Sequence, residues 1–193
     1  MRCLLCESLS LTHICKSCQT KFLKPSLYKR QLENGITLFS FYKYEEIKEL
    51  LYTKHTDIGF YIYKILAKNS LKLFGDSFDY ERRVALLPID DTPKSGYSHT
   101  AILAKSLKSR LIKPYFAKLR AKNTTSYSGK NRAFRLNNPR NFIYREFKEE
   151  ELILIDDIVT TGSTLSQAIA LLQKHNKKVL FCLTLSDVAN KQL

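Results

Sequence analysis

The segment Leu152-Ile153-Leu154-Ile155-Asp156-Asp157-Ile158-Val159-Thr160-Thr161-Gly162-Ser163-Thr164-Leu165 constrains the fold more than any other part of the chain. Its opening apolar run is strand-sized and reads as a strand buried on both faces, as in a parallel sheet. Two adjacent carboxylates cannot stay unpaired in that interior, so they are expected to emerge at the strand's carboxyl end. In open parallel sheets that end is where ligands bind. Thr160 to Thr164 then open a helix. Hydroxyls, a permissive glycine and the free amides of a helix N-terminus together make a phosphate cradle. Other phosphate loops are excluded, because the six glycines never form Gly-x-Gly-x-x-Gly and Gly-x4-Gly-Lys-Ser/Thr is absent.

The rest of the chain supplies matching elements. Ile36 to Tyr44 is rich in β-branched and aromatic residues and reads as one or two strands. Glu45 to Thr53 has helical spacing, and Asp57 is expected to cap a longer helix carrying Ile58, Tyr61, Ile62, Ile65, Leu66 and Leu73. Strands are expected at Arg83 to Ile89, Tyr115 to Leu119, Leu152 to Ile155 and Lys178 to Leu185, with helices over His99 to Arg110 and Leu165 to Lys174. Lys21 to Asn34 reads as a basic linker, Asp90 to Ser98 as a loop, and Arg120 to Asn141 as a long mobile loop. Strands alternating with helices imply an α/β fold with a mainly parallel sheet flanked by helices. The expected division is residues 1–24 as a metal-binding module, 25–82 as linker and helical hood, and 83–193 as the core. A chain of 193 residues with 44% hydrophobic and 26% charged residues is not a disordered one. No apolar run is long enough to span a membrane, and no signal-like segment starts the chain, so a cytoplasmic location is expected.

Four of the five cysteines lie at Cys3, Cys6, Cys15 and Cys18, as two Cys-x2-Cys knuckles. Four thiolates so spaced suit tetrahedral zinc in a closed, structural site. Two disulfides are disfavoured in a reducing compartment, and an iron–sulfur cluster is the less favoured metal alternative. His13 is expected to be an exposed loop residue rather than a replacement ligand. Cys182 is expected to be a buried strand residue.

The charge is uneven. The chain carries 32 Lys and Arg against 18 Asp and Glu. From Thr92 to Arg145 there is no carboxylate, whereas 13 basic residues fall in that stretch. A solubilising surface mixes signs, so the bias suggests an anionic partner, either a nucleotide-like phosphate or nucleic acid. Arg120, Lys122, Lys130, Arg132, Arg135 and Arg140 are the candidate nucleic-acid contacts.

The Asp-Asp-to-Thr-Thr-Gly-Ser-Thr segment resembles the signature of type I phosphoribosyltransferases, which bind 5-phosphoribosyl-1-pyrophosphate (PRPP) with Mg2+. The resemblance implies that Asp156 and Asp157 hold the ribose hydroxyls and are the catalytic pair. It also implies that Thr160, Thr161, Gly162, Ser163 and Thr164 hold the 5-phosphate. The four-cysteine knuckle ahead of such a domain is similar to the ComF family, in particular its ComFC-type competence proteins. Leu87-Pro88-Ile89, Ser95-Gly96-Tyr97-Ser98-His99 and Arg135-Leu136-Asn137-Asn138 resemble further family segments, as does Glu45 to Asp57 with Lys54. Ser95 and His99 stand where the family has Arg and Gln, and Lys94 is the candidate substitute for the arginine. The implied role is natural transformation, with PRPP and single-stranded DNA as partners and other DNA-uptake proteins at the inner face of the membrane. The alternative is a working phosphoribosyltransferase with an unknown acceptor.

Overall fold

The structure, a computed structural model, describes residues 1–89, 96–122 and 140–189. The central strands are β1 (Tyr28–Gln31), β2 (Thr37–Lys43), β3 (Val84–Pro88), β4 (Ile112–Pro114), β7 (Glu151–Val159) and β8 (Lys178–Asp187). They form one six-stranded sheet in the order β1-β2-β8-β7-β3-β4. All neighbours pair parallel except β1, which runs antiparallel to β2. A separate antiparallel pair is made by β5 (Leu119–Ala121) and β6 (Phe142–Tyr144). Most of the segment expected to be a long mobile loop, residues 123–139, lies between them and outside the described residues. Helices α1 (Lys16–Phe22), α2 (Tyr44–Tyr52), α3 (Asp57–Asn69), α4 (Leu71–Ser77) and α5 (His99–Leu107) precede the last helix, α6 (Ser163–Lys174).

The double-sided burial expected of β7 is present. Ile153 and Ile155 enter a core shared with α2, α3, α4 and α5, while Leu152 and Leu154 enter a second core against α6. Strand β3 splits likewise, with Val84 and Leu86 on one face and Ala85 and Leu87 on the other. Period-2 alternation accounts for this partition. The N-terminal knuckle joins the first core, where Cys3, Ile14, Cys18 and Leu23 pack with Tyr42, Leu66 and Leu71.

Three expectations need correction. Lys21 to Asn34 is not simply a linker, because it contains the end of α1 and the edge strand β1. The strand expected at Tyr115 to Leu119 is two short strands, β4 and β5, separated by a turn at Ala117 with φ +55°. The cap of α3 is Thr56, whose side chain accepts from the Gly59 N–H, and Asp57 is the first helical residue. The helix ends at Asn69, so Leu73 falls on α4, and of the apolar residues assigned to it Ile58, Tyr61 and Leu73 are exposed.

The topology locates a crevice. From β3 the chain crosses through α5 to β4 on one side; from β7 it crosses through α6 to β8 on the other. The direction reverses between β3 and β7, and ligands bind outside the carboxyl ends of strands at such a switch point. Asp156 and Asp157 stand at that edge, near the end of β7.

Candidate functional site

Thr160 to Thr164 connect β7 to α6 as the sequence pattern requires. Gly162 caps the helix in the left-handed region, φ +84°. That conformation calls for glycine, and a Cβ there would also lie 2.6 Å from Leu32 Cδ2, so the Leu32 side chain would have to shift. The Ser163 N–H donates to Thr161 Oγ1 at 3.3 Å, which folds the hydroxyls over the helix N-terminus. The cradle itself contains no charged side chain. It offers amides, hydroxyls and the positive end of the α6 dipole.

The two carboxylates occupy different environments. Asp156 is half-buried, and its Oδ1 accepts from the Asp157 N–H at 2.8 Å. Asp157 is 5% exposed. Its Oδ2 lies 3.0 Å from Tyr63 OH, 3.3 Å from Lys54 Nζ and 3.4 Å from His99 Nε2, while Oδ1 accepts from the Ile158 N–H at 2.8 Å. Burial alone would raise its pKa. The charges of Lys54 and His99 and the Tyr63 hydroxyl outweigh burial and hold the carboxyl well below its ordinary range. Burial and the Asp157 charge together push the Tyr63 phenol well above its ordinary value. Tyr97 OH reaches the carbonyl oxygens of Lys54 at 2.8 Å and Thr56 at 3.0 Å. Gly59 permits this approach, since a Cβ there would lie 2.4 Å from Tyr97 OH. The residues in the resemblance segments around Lys54 and His99 therefore meet at one carboxylate.

A second cluster lies on the other side of the loop. Arg30 on β1 pairs with Asp187 at the end of β8 and donates from Nη2 to the Thr160 carbonyl at 3.1 Å. Neither residue is picked out by local pattern. Arg30 lies in the segment read as a linker, and Asp187 lies beyond the expected end of the last strand. The sequence carries one signal for it: Asp187 follows an apolar strand, as Asp156 does.

The four knuckle sulfurs lie within 4.8 Å of one another, and Cys6 Sγ is 3.7 Å from Cys15 Sγ. A tetrahedral zinc with ~2.3 Å bonds has sulfur–sulfur edges of about 3.8 Å. The Cys15 N–H donates to Cys3 Sγ at 3.3 Å, and the Cys18 N–H to Cys15 Sγ at 3.5 Å. Burial opposes ionisation of Cys3, yet backbone N–H groups of Cys15, Leu5 and Cys6 bring its thiol down to about 6. Burial and the other thiols push Cys18 up to about 12. This donor set fits zinc, whose charge would complete the deprotonation. His13 stacks on Tyr61 with centroids 4.6 Å apart and is not in the sulfur cluster. Cys182 is buried on β8, and burial raises its pKa.

Of the proposed nucleic-acid contacts, Arg120 and Lys122 are exposed, and Arg140 is half-buried near α6, its N–H donating to Gln167 Oε1 at 2.8 Å. The Lys122 N–H bonds the Arg140 carbonyl at 3.1 Å, next to the β5–β6 pair. Lys130, Arg132 and Arg135, and Lys94 in the earlier loop, lie outside the described residues.

A sequence profile of the PRTase-CE family matches residues 24–191. The chain belongs to this phosphoribosyltransferase-like family. Its mainly parallel sheet with flanking helices is the phosphoribosyltransferase type of fold. No curated protein matches the chain. Similar solved structures include an orotate phosphoribosyltransferase from Aeropyrum pernix, at 17% identity and TM-score 0.42 over 89% of this chain and 80% of that one. An adenine phosphoribosyltransferase gives 14% identity and TM-score 0.44, covering 88% of each chain. A Staphylococcus aureus hypoxanthine phosphoribosyltransferase gives 18% and 0.39, over 65% of this chain and 62% of that one. Among the described residues no helix is long and apolar enough to cross a membrane.

Proposed function

We propose that the chain binds PRPP with Mg2+ at the β3/β7 crevice, and that it serves DNA uptake in natural transformation. The observation that carries the first half is the order of parts at the switch point: buried strand, Asp156 and Asp157, the Thr160–Thr164 loop, and the α6 N-terminus. The loop's amides and hydroxyls take the 5-phosphate. Asp156, the more exposed of the two carboxylates, would accept from the ribose hydroxyls, and Asp157 would hold the surrounding elements in position. Bound Mg2+ would neutralise the pyrophosphate, with Lys94 as its proposed side-chain partner. Catalysis, if a suitable acceptor enters, would use the Asp156 charge to stabilise positive character on the sugar as pyrophosphate leaves. Zinc on Cys3, Cys6, Cys15 and Cys18 has four protein ligands and a structural role.

The test is calorimetry with PRPP, with and without Mg2+. Saturable, magnesium-dependent binding is expected; no heat and no competition by ribose 5-phosphate would overturn the reading. Pyrophosphate release with candidate acceptors then separates a working transferase from a protein that uses PRPP as a ligand.

The second half rests on the carboxylate-free stretch, the four-cysteine knuckle and the resemblance to ComFC-type proteins. Arg120 and Lys122 are exposed just before the segment that carries Lys130, Arg132 and Arg135. Basic side chains on such a segment can track a single-stranded backbone. Changing Lys122, Lys130 and Arg132 together to Ala should weaken oligonucleotide binding. The slope of log affinity against log salt should flatten by about 0.7 for each phosphate that the variant no longer neutralises. Wild-type affinity and slope in the triple variant would remove this segment as the DNA surface.

A further inference from the structure

We infer that Arg30 is a phosphate ligand of this same site and supplies the full positive charge that the Thr160–Thr164 loop lacks. The inference rests on the PRPP reading and adds a residue from outside the β7–α6 segment.

The geometry begins with β1. Arg30 and Leu32 are two positions apart, so strand periodicity and the turn of the chain bring both toward the loop. Leu32 Cδ2 would lie 2.6 Å from a Cβ on Gly162, and Arg30 Nη2 lies 3.9 Å from the same point. Arg30 therefore stands beside the residue that caps α6. Its Nε and Nη2 donate to the two oxygens of Asp187, and Nη2 also donates to the Thr160 carbonyl.

Asp187 is 1% exposed, and its Oδ1 also accepts from the Ala189 N–H at 3.0 Å. A buried carboxylate with fixed partners orients the guanidinium. A guanidinium has five N–H donors. Asp187 and Thr160 take those of Nε and Nη2, while both N–H groups of Nη1 have no acceptor among the described residues. The side chain keeps 24% of its surface exposed, so the fork is not sealed in the core.

The chemistry matches the need. A sugar phosphate is a dianion near neutral pH, whereas the helix N-terminus offers only about half a positive charge. A planar fork with one edge held by Asp187 can present its remaining donors to phosphate oxygens without further ordering. A buried ion pair by itself adds little stability compared with apolar packing. A charge standing here, with donors to spare beside a phosphate loop, fits a ligand-binding role.

The test compares three probes: PRPP with Mg2+, ribose 5-phosphate, and magnesium pyrophosphate. The Arg30→Gln, Asp187→Asn double variant removes the charge without leaving a buried carboxylate unpaired. Affinity for PRPP and ribose 5-phosphate should fall roughly ten- to a hundredfold, as for loss of a charge-assisted pair, with pyrophosphate unchanged. Arg30→Lys keeps the ion pair but not the fork, and should weaken ribose 5-phosphate while sparing pyrophosphate. If wild type binds PRPP and both variants match it for ribose 5-phosphate, the Arg30 assignment falls alone. Equal losses for ribose 5-phosphate and pyrophosphate mark a structural role and overturn it too. If wild type binds neither PRPP nor ribose 5-phosphate, the PRPP reading falls and takes this inference with it.

Discussion

Removing the zinc proposed for the Cys3, Cys6, Cys15, Cys18 site should destabilise the whole protein, not only its first 24 residues. Structural zinc contributes ~10–16 kcal/mol in small metal-held peptides. Here the knuckle is part of a larger core. Tyr42 OH lies 3.5 Å from the Leu23 carbonyl and 3.3 Å from the Leu66 carbonyl, which ties the module to β2 and α3. Gln19 and Asn69 bond across the same boundary at 3.3 Å. Without metal, four clustered thiols must reprotonate or disperse, and Cys3, Ile14 and Leu23 lose a fixed frame for their burial. Chelation, or Cys6→Ser with Cys15→Ser, should lower the melting temperature of the main transition and expose the Tyr42 region to hydrogen exchange. An independent module at residues 1–24 would instead give a loosened N-terminus on an unaffected core, seen as exchange confined to those residues. Carefully purified protein with no zinc by elemental analysis would contradict the assignment outright.

The difference between those two outcomes comes from what local sequence can carry. Strand β7, its loop and α6 are legible because every signal in them is contiguous: an apolar run, two acids, hydroxyls around a glycine, then helical spacing. The zinc ligands are legible for the same reason. Strand β1 is not, because Tyr28-Lys29-Arg30-Gln31 lies at the sheet edge with burial only on alternate residues. Four polar or amphipathic residues after a proline look like linker. The strand expected at Tyr115 to Leu119 begins earlier, as β4 over Ile112–Pro114, because the outermost strand of a sheet tolerates a proline. The partners of Asp157 are beyond reach of any local pattern. Lys54, Tyr63 and His99 come from three separate elements, and Lys54 is 103 positions away. Adjacency of the two carboxylates in sequence suggests one shared role; only the fold separates them.

That separation gives the last expected result. Asp156→Asn should abolish most PRPP binding while leaving stability nearly unchanged. The side chain is half-buried at the crevice, and the substitution removes its charge while keeping its shape. Two ribose hydroxyls donating to a carboxylate would each contribute about 1.5–3 kcal/mol, so the loss should exceed tenfold. Asp157→Asn should do the reverse in its primary effect. It leaves Lys54 facing a neutral amide in a buried setting, and breaking such a pair costs about 3–5 kcal/mol. The lower end is expected, since Lys54 keeps 29% of its side chain exposed. The pH dependence identifies the cause. The folded pKa of Asp157 is depressed below its ordinary value of 3.8, so its carboxylate stabilises the native state above that value. The contribution is lost as pH falls toward the depressed folded pKa, because the unfolded chain then binds the proton first. Wild type should therefore lose stability on acidification below about pH 4–5 more steeply than Asp157→Asn. Urea unfolding from about pH 3 to 7, beside PRPP calorimetry on both variants, reads each effect separately. Stability loss in Asp156→Asn with none in Asp157→Asn would reverse the two roles and return the buried carboxylate to the ribose.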